Sequence, residues 1–546
     1  MQKSNLRQRP KTVKFKIPQT EQHFQIERPL SDRFSTWETV QTFLPHDKVS
    51  MEPANKHESD VLNAYGLQPD DLLIVPPLKN LPSPFDYHSK INGDKSYVHQ
   101  PRLSVSKLLT DAWCELRSFY EIYAGSPRTS PSPTMKTGTE YHARLELKAH
   151  PKREVVTLKT QIILLLSKLS PEVRNEHVRT RHGSSFAQNW MEQTVYRSIC
   201  ASHTKVVREL FIHGFLDLKS GNLVTSQTKL RDGVLVNGIA DIVRIDAFNA
   251  VEYINDAGLS SPLHESSVES LPDGSTEFSS TPVLDLSVEI PKAKKFMTNL
   301  ARDNFLHMRD VKTRKSNTVP NQVSAVNAAK LQCMYYAIFL HNLSRSAEFA
   351  YASCLENLKT RRIDPDEPIS IALATEFLVV NFRVVALDCV RLAKGQHIGF
   401  QKFDEYAHRS SDYSLSHFVT EDEFRLLMKI HYGEELDISD FDLTPLFTNW
   451  KIPLTLRYVS ARTGQAFNIY EAFEPSSVCV EYHNPSKQEI IARMHYPFDR
   501  NEIEQSVEQS VMNELRRTKM LDAIKGNTTS VYGTTSADFW TQVPTN

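Results

Sequence analysis

A chain of 546 residues with 40% hydrophobic content can bury one large core or two to three ordinary ones. Its net charge of −1 excludes a global basic field, so any surface for a polyanion must be a local patch. Six cysteines with no CxxC pair and no secretory signal argue against a disulfide framework. The most apolar stretch, 369–393, is broken by Glu376, Arg383 and Asp388, which argues against a membrane span.

Residues 1–33 form a basic arm. Lys3, Arg7, Arg9, Lys11, Lys14 and Lys16 stand there with no acid in the first twenty positions, the charge bias of a mitochondrial transit peptide. A solvated basic tail or a nuclear signal is the other reading. Residues 34–102 are polar and studded with proline, and predict an extended, mostly irregular segment with one ordered patch at 34–44. Order begins at Leu103. Ser104 or Ser106 is placed to cap a helix through about Tyr123, and a loop at 125–133 ends it. A second helix, 137–149, carries His142 and Glu146 one turn apart on one face, and helices follow at 161–169 and 185–200.

The pattern then changes to β-branched and aliphatic runs broken by glycine at 209–216 and 234–246, which predict strands. Residues 256–285 hold eight serines, six acids and no Lys or Arg, and read as a disordered acidic insertion between two strands. Strands are expected at 284–290 and 305–314, then a helix at 322–343. Helices should dominate from 369 to 432, with short strands at 454–459 and 478–482 and a polar tail at 525–546.

The residues that carry chemistry are His142, Asp241 at the end of Gly238-Ile-Ala-Asp, Asp310-Val-Lys312 on a strand, and Gln332 with Tyr336 on the next helix. Phosphodiester hydrolysis needs oxygen ligands for a hard divalent cation and a cationic side chain near the phosphate. Alternate strand residues face one side, so Asp310 and Lys312 point together. Gln332 and Tyr336, four apart, share a helical face and can reach DNA or brace Lys312, while His142 can ligate the metal from the opposite wall. Asp285 or Glu289 could replace Asp310 as second carboxylate, but the D-x-K spacing favours Asp310. Arg309, Arg314, Lys315 and Lys330 are available as phosphate contacts. Each piece also has an ordinary structural reading, and it is the combination, in the order one cleft needs, that points to a nuclease.

Five segments extend that reading: Leu103-Ser-Val-Ser-Lys-Leu-Leu-Thr-Asp-Ala-Trp-Cys-Glu-Leu-Arg-Ser-Phe-Tyr, Lys136-Thr-Gly-Thr-Glu-Tyr-His-Ala-Arg-Leu-Glu, Gly238-Ile-Ala-Asp, Asp310-Val-Lys-Thr-Arg and Gln332-Cys-Met-Tyr-Tyr. Together they resemble fungal exonuclease V, a relative of the RecB and AddB nuclease domains, over about 34–524, with the nuclease domain itself at 103–524. The resemblance implies an α/β fold of the PD-(D/E)xK type, a mixed central sheet flanked by helices with helical additions. It implies Mg²⁺-dependent cleavage of single-stranded DNA from an end, 5′ to 3′ in the fungal members, and a role in maintaining mitochondrial DNA; Mn²⁺ is the alternative ion, and a monomer is expected. On this resemblance His142, Asp241 and Asp310 are metal positions, Lys312 is the catalytic lysine, and Gln332 with Tyr336 form the supporting motif.

The family's 4Fe-4S cluster uses four cysteines, of which Cys114 matches the first. No cysteine follows Cys479 in the last 67 residues, so the ligand set is incomplete as the chain is written, and an altered reading from about Ile524 is expected. Cys200, Cys333, Cys354 and Cys389 stand in apolar contexts and are expected to be buried thiols. The alternative to an active nuclease is a single-strand DNA-binding scaffold impaired by that incomplete cluster.

Overall fold

The structure, a computed structural model, describes residues 102–112, 132–150, 156–171, 174, 183–217, 219–247, 283–405 and 412–511. The basic arm, the 34–44 patch, Cys114, most of the acidic insertion and the polar tail lie outside the described residues.

Six strands form one mixed sheet. They are β1 (Leu103–Ser104), β2 (Val206–Asp217), β3 (Gly233–Ala247), β4 (Asn304–Thr313), β5 (Ser477–Asn484) and β6 (Glu489–Pro497). The long β3 organises it. Antiparallel β2 runs along one edge from Gly233 to Arg244, and the other edge is shared between β4, from Ile242 to Ala247, and the two residues of β1, at Val236 and Asn237. On that shared edge the four residues Gly238-Ile-Ala-Asp have no strand partner. The sheet therefore splits at this motif, while parallel β4–β5 pairing continues through Thr313.

The helices next in chain order are α1 (Pro133–Ala149), α2 (Val156–Ser167), α3 (Arg197–Thr204), α4 (Leu286–Leu300) and α5 (Val323–Ser344), of which α1 and α5 pack against the strands of the split. Helix α1 starts where Ser132 Oγ accepts the Met135 N–H at 3.2 Å, with Pro133 at the first helical position, where its missing N–H costs nothing. Helix α3 continues from a π-helical turn at Trp190–Tyr196. Helix α5 is apolar nearly all round, and Cys333 to Phe339 are buried, as expected of a helix enclosed between layers. Behind it lie α6 (Ala347–Thr360), α7 (Ile371–Val380), α8 (Phe382–Lys394), α9 (Glu421–Tyr432) and α10 (Leu456–Phe467), with α11 (Arg500–Val511) closing the described chain. The mixed α/β architecture, a central sheet flanked by helices, is the one expected. No helix among the described residues is long and apolar enough to cross a membrane.

Two local expectations are overturned and a third is tested only in its first half. Leu103 and Ser104 form strand β1, Leu103 pairing with Val236, and the turn that follows is a 3₁₀ helix, Val105–Ala112, with the two serine hydroxyls bonded to each other at 2.7 Å. The rest of the helix expected to Tyr123, and the loop after it up to 131, lie outside the described residues. Residues 284–290 are not a strand. Asp285 Oδ1 accepts the Ser287 N–H at 2.9 Å and starts α4, whose Leu286, Ile290, Ala293 and Met297 are buried at helical spacing. The segment read as a strand at 454–459 likewise begins α10, capped by Thr455. In both, β-branched residues suggested extension and the cap with its longer apolar period prevailed.

Candidate active site

Asp241 and Asp310 occupy the next positions beyond the last β3–β4 pair, Ile242 with Arg309. Where a further main-chain bond would fall, the Val311 N–H instead donates to Asp241 Oδ2 at 2.8 Å. The split thus places a side-chain carboxylate at the point where strand pairing stops.

Helix α1 brings His142 to the same place, its Nδ1 lying 3.9 Å from Asp241 Oδ2. Two contacts seat that helix. A Cβ built on Gly138 would stand 2.6 Å from Thr313 Oγ1, so only glycine lets α1 approach the end of β4 this closely, at a cost in helix propensity of about 1 kcal/mol. The neighbouring Tyr141 hydroxyl bonds His483 Nδ1 on β5 at 2.9 Å. His483 in turn meets Glu481 at 3.0 Å, and Glu481 accepts from Arg309 at 2.8 Å.

Helix α5 supplies the other side. Lys312 Nζ is 2.7 Å from Asp310 Oδ2 and donates to Gln332 Oε1 at 2.9 Å, and Gln332 Nε2 donates to the Tyr336 hydroxyl at 3.1 Å. This chain of contacts fixes the ammonium at the mouth of the split, with Asp310 buried beneath it.

Burial raises the pKa of Asp241, and the Val311 N–H and Lys312 only partly oppose it. Burial also raises Asp310 against the pull of Lys312, with the Asp241 charge adding to it. For Lys312 burial works against the charged form, but Asp310 and its hydrogen bond outweigh it, so the lysine stays an ammonium. Burial, helped by Arg208, lowers His142, which leaves a neutral imidazole with a lone pair to donate.

One participant was not singled out from the sequence. Glu209 on β2 offers an oxygen that lies with atoms of His142 and Asp241 inside a mutual distance of 4.8 Å, the only His, Cys, Asp and Glu group of metal-ligating geometry among the described residues. Burial, then Asp241 and Glu146, push Glu209 up to about 7. The sequence marks it simply as the start of a strand, and only the register of β2 against β3 shows what it faces. Asp310 lies outside that tight group, tied to Lys312.

Two hard carboxylates and one imidazole suit Mg²⁺ or Mn²⁺. The described cysteines do not suit an iron–sulfur cluster. Cys200, Cys333, Cys354, Cys389 and Cys479 sit on five different elements, and none belongs to a ligand group. Cys333, Cys354 and Cys389 are buried as expected, while Cys200 is half-buried.

The remaining expectations separate. Asp285 pairs with Arg391 at 2.8 Å and is no substitute for Asp310; Glu289 lies on the same helix, α4, rather than on a strand. Arg309 is buried against Asp246 and Glu481, and Lys330 is 2.7 Å from Glu502, so both are engaged. Arg314 is partly exposed and Lys315 exposed, and these remain available to a phosphate.

Residues 96–513 match the family described as exonuclease V, a 5′ deoxyribonuclease. The mitochondrial exonuclease V of Clavispora lusitaniae is 40% identical over 506 residues, covering 91% of this chain and 96% of that protein. The mitochondrial exonuclease V of Candida albicans is 34% identical over 474 residues, 84% of this chain and 76% of the relative. That of Kluyveromyces lactis is 28% identical over 465 residues, 82% of this chain and 77% of the relative.

Proposed function

Because this chain belongs to the exonuclease V family of 5′ deoxyribonucleases, we propose that it hydrolyses single-stranded DNA from 5′ ends, on a PD-(D/E)xK core, with a divalent cation, in mitochondria. The observation that supports this most is the convergence of His142, Asp241, Asp310 and Lys312 on the split between β3 and β4. Their order along the chain and their element types are those the chemistry needs.

His142 and Asp241, with Asp310 beside them, would hold Mg²⁺ or Mn²⁺. Such an ion, when bound, neutralises phosphate charge and makes water more acidic. Lys312, held as an ammonium by Asp310 and Gln332, places positive charge where negative charge builds up on the phosphate in the transition state. Tyr336 steadies Gln332 and so the lysine. Tyr141 docks α1 on β5 and thereby orients His142, the adjacent residue. Arg314 and Lys315 continue the strand's basic end beyond Thr313 and offer contacts to the nucleic-acid backbone.

Two of the names carried by relatives, exonuclease and mitochondrial, agree with this reading, and the basic arm at 1–33 suits import. The test is nucleotide release from 5′-labelled single and double strands, with Mg²⁺, Mn²⁺ or chelator. Single strands should be degraded from the 5′ end only with metal. Cleavage by Asp241→Ala at the wild-type rate, or equal cleavage in chelator, would overturn the proposal.

A further inference from the structure

We propose that Glu209 is a further ligand of the divalent cation, set across β2 and β3 from Asp241, an inference that rests on the nuclease reading above. The β2–β3 register pairs Arg208 with Ile242 and Leu210 with Ala240, which leaves Glu209 opposite Asp241. Directly facing residues of antiparallel strands bring their side chains together. Two facing carboxylates repel each other, so their juxtaposition is unfavourable unless something positive lies between them.

No described cation lies in contact with Glu209; Arg208 and Arg197 act on it only from a distance, and both are turned to Glu146. It makes no ion pair or hydrogen bond there, although it is half-buried. Nearby Glu146 is engaged by Arg197 at 2.6 Å, so that arginine is already spoken for. His142 approaches from α1 with a ring nitrogen, and the three donor atoms lie within 4.8 Å of one another, close enough for one ion to touch all three.

The backbone points the same way. Glu209 has φ of 50°, the left-handed region, in the middle of a strand whose neighbours are extended. A non-glycine residue pays about 1 kcal/mol or more to remain there, and such strain gathers at functional sites. Glycine would be easier at this position, but it would bring no carboxylate.

The experiment titrates Mn²⁺ into the full-length chain and follows free Mn²⁺ by electron paramagnetic resonance, with melting temperature measured in chelator. Wild type, Glu209→Gln, Glu209→Gly and Asp241→Asn are compared. The expected result is at least a tenfold weaker Mn²⁺ affinity for Glu209→Gln and Glu209→Gly, with melting in chelator unchanged or raised because repulsion and strain are relieved. If Asp241→Asn loses Mn²⁺ while both Glu209 variants bind it like wild type, Glu209 is no ligand and the nuclease reading stands. If wild type binds no Mn²⁺, or Asp241→Asn binds it normally, the cation site itself is wrong and both inferences fall. Should both Glu209 variants fail to fold, the residue is structural and the proposal is overturned.

Discussion

Gly238 and Tyr336 touch so closely that a Cβ on the glycine would stand 2.3 Å from Cε1 of the tyrosine ring. The glycine of the Gly-Ile-Ala-Asp motif is therefore a seat for the residue that steadies Gln332 and, through it, Lys312. Gly238→Ala should push the ring away, cost about 1–3 kcal/mol of stability, and lower kcat more than it changes DNA binding. Tyr336→Phe, which removes only the hydroxyl, should keep the melting temperature within a few degrees and lose less activity than Gly238→Ala. Thermal melts and single-turnover nucleotide release on both variants check this.

Lys312 and Asp310 should separate stability from catalysis. Lys312→Ala leaves a buried carboxylate without its cation, and a loss of about 1–3 kcal/mol is expected from that group alone. Adding Asp310→Asn should restore much of the melting temperature in chelator while nuclease activity stays absent. Urea unfolding in chelator measures the first and the labelled-strand assay the second. A double variant no more stable than Lys312→Ala would show that the pair is not what holds that end of β4.

Asp241→Asn can keep its acceptor for the Val311 N–H and so should fold normally, yet lose activity on the order of 10³-fold through the charge alone. Circular dichroism and a progress curve in Mg²⁺ test both halves. An inactive but unfolded variant would count against this separation.

Acid sensitivity should have a contribution from a histidine outside the proposed ligand set. His213 is fully buried, bonded through Nε2 to Ser353 Oγ at 2.9 Å, and burial lowers it to about 3. In the unfolded chain it titrates near 6.5, so below that pH the unfolded state takes up a proton that the folded state refuses. Its contribution is thus fully present above about pH 6.5 and is lost as pH falls toward 3, at up to about 1.4 kcal/mol per pH unit. His213→Asn should flatten the fall in urea-unfolding free energy between pH 6.5 and 5. An unchanged slope would place the acid sensitivity in other groups.

Protein of this 546-residue sequence should purify without a 4Fe-4S cluster, since the cysteine pattern read from its sequence matches only the first ligand, Cys114. Stoichiometric iron with a broad absorbance near 400 nm after anaerobic purification would contradict that.

The residues of the site could be listed from the sequence because D-x-K on a strand and Gln-x-x-x-Tyr on a helix are local patterns with fixed facing rules. Their convergence could not be derived so directly. His142 meets Asp241 because Gly138 lets α1 settle on β4 and Tyr141 docks it on β5, contacts between segments far apart in the chain. Glu209 carried no local signal at all. Its role depends on which residue of β3 it faces, and register is set by the whole hairpin's buried pattern. The segments 284–290 and 454–459 are hard to read for a different reason: their β-branched residues favour extension, and the caps at Asp285 and Thr455 decide for helix.

The amide of Val311 is bonded to a side chain whose charge is the very quantity at stake. Its nitrogen and proton resonances should therefore move whenever the carboxylate at 241 gains a proton or is drawn toward an ion. A single labelled valine would turn this one backbone group into an internal gauge of the state of the cleft, readable without substrate and without turnover.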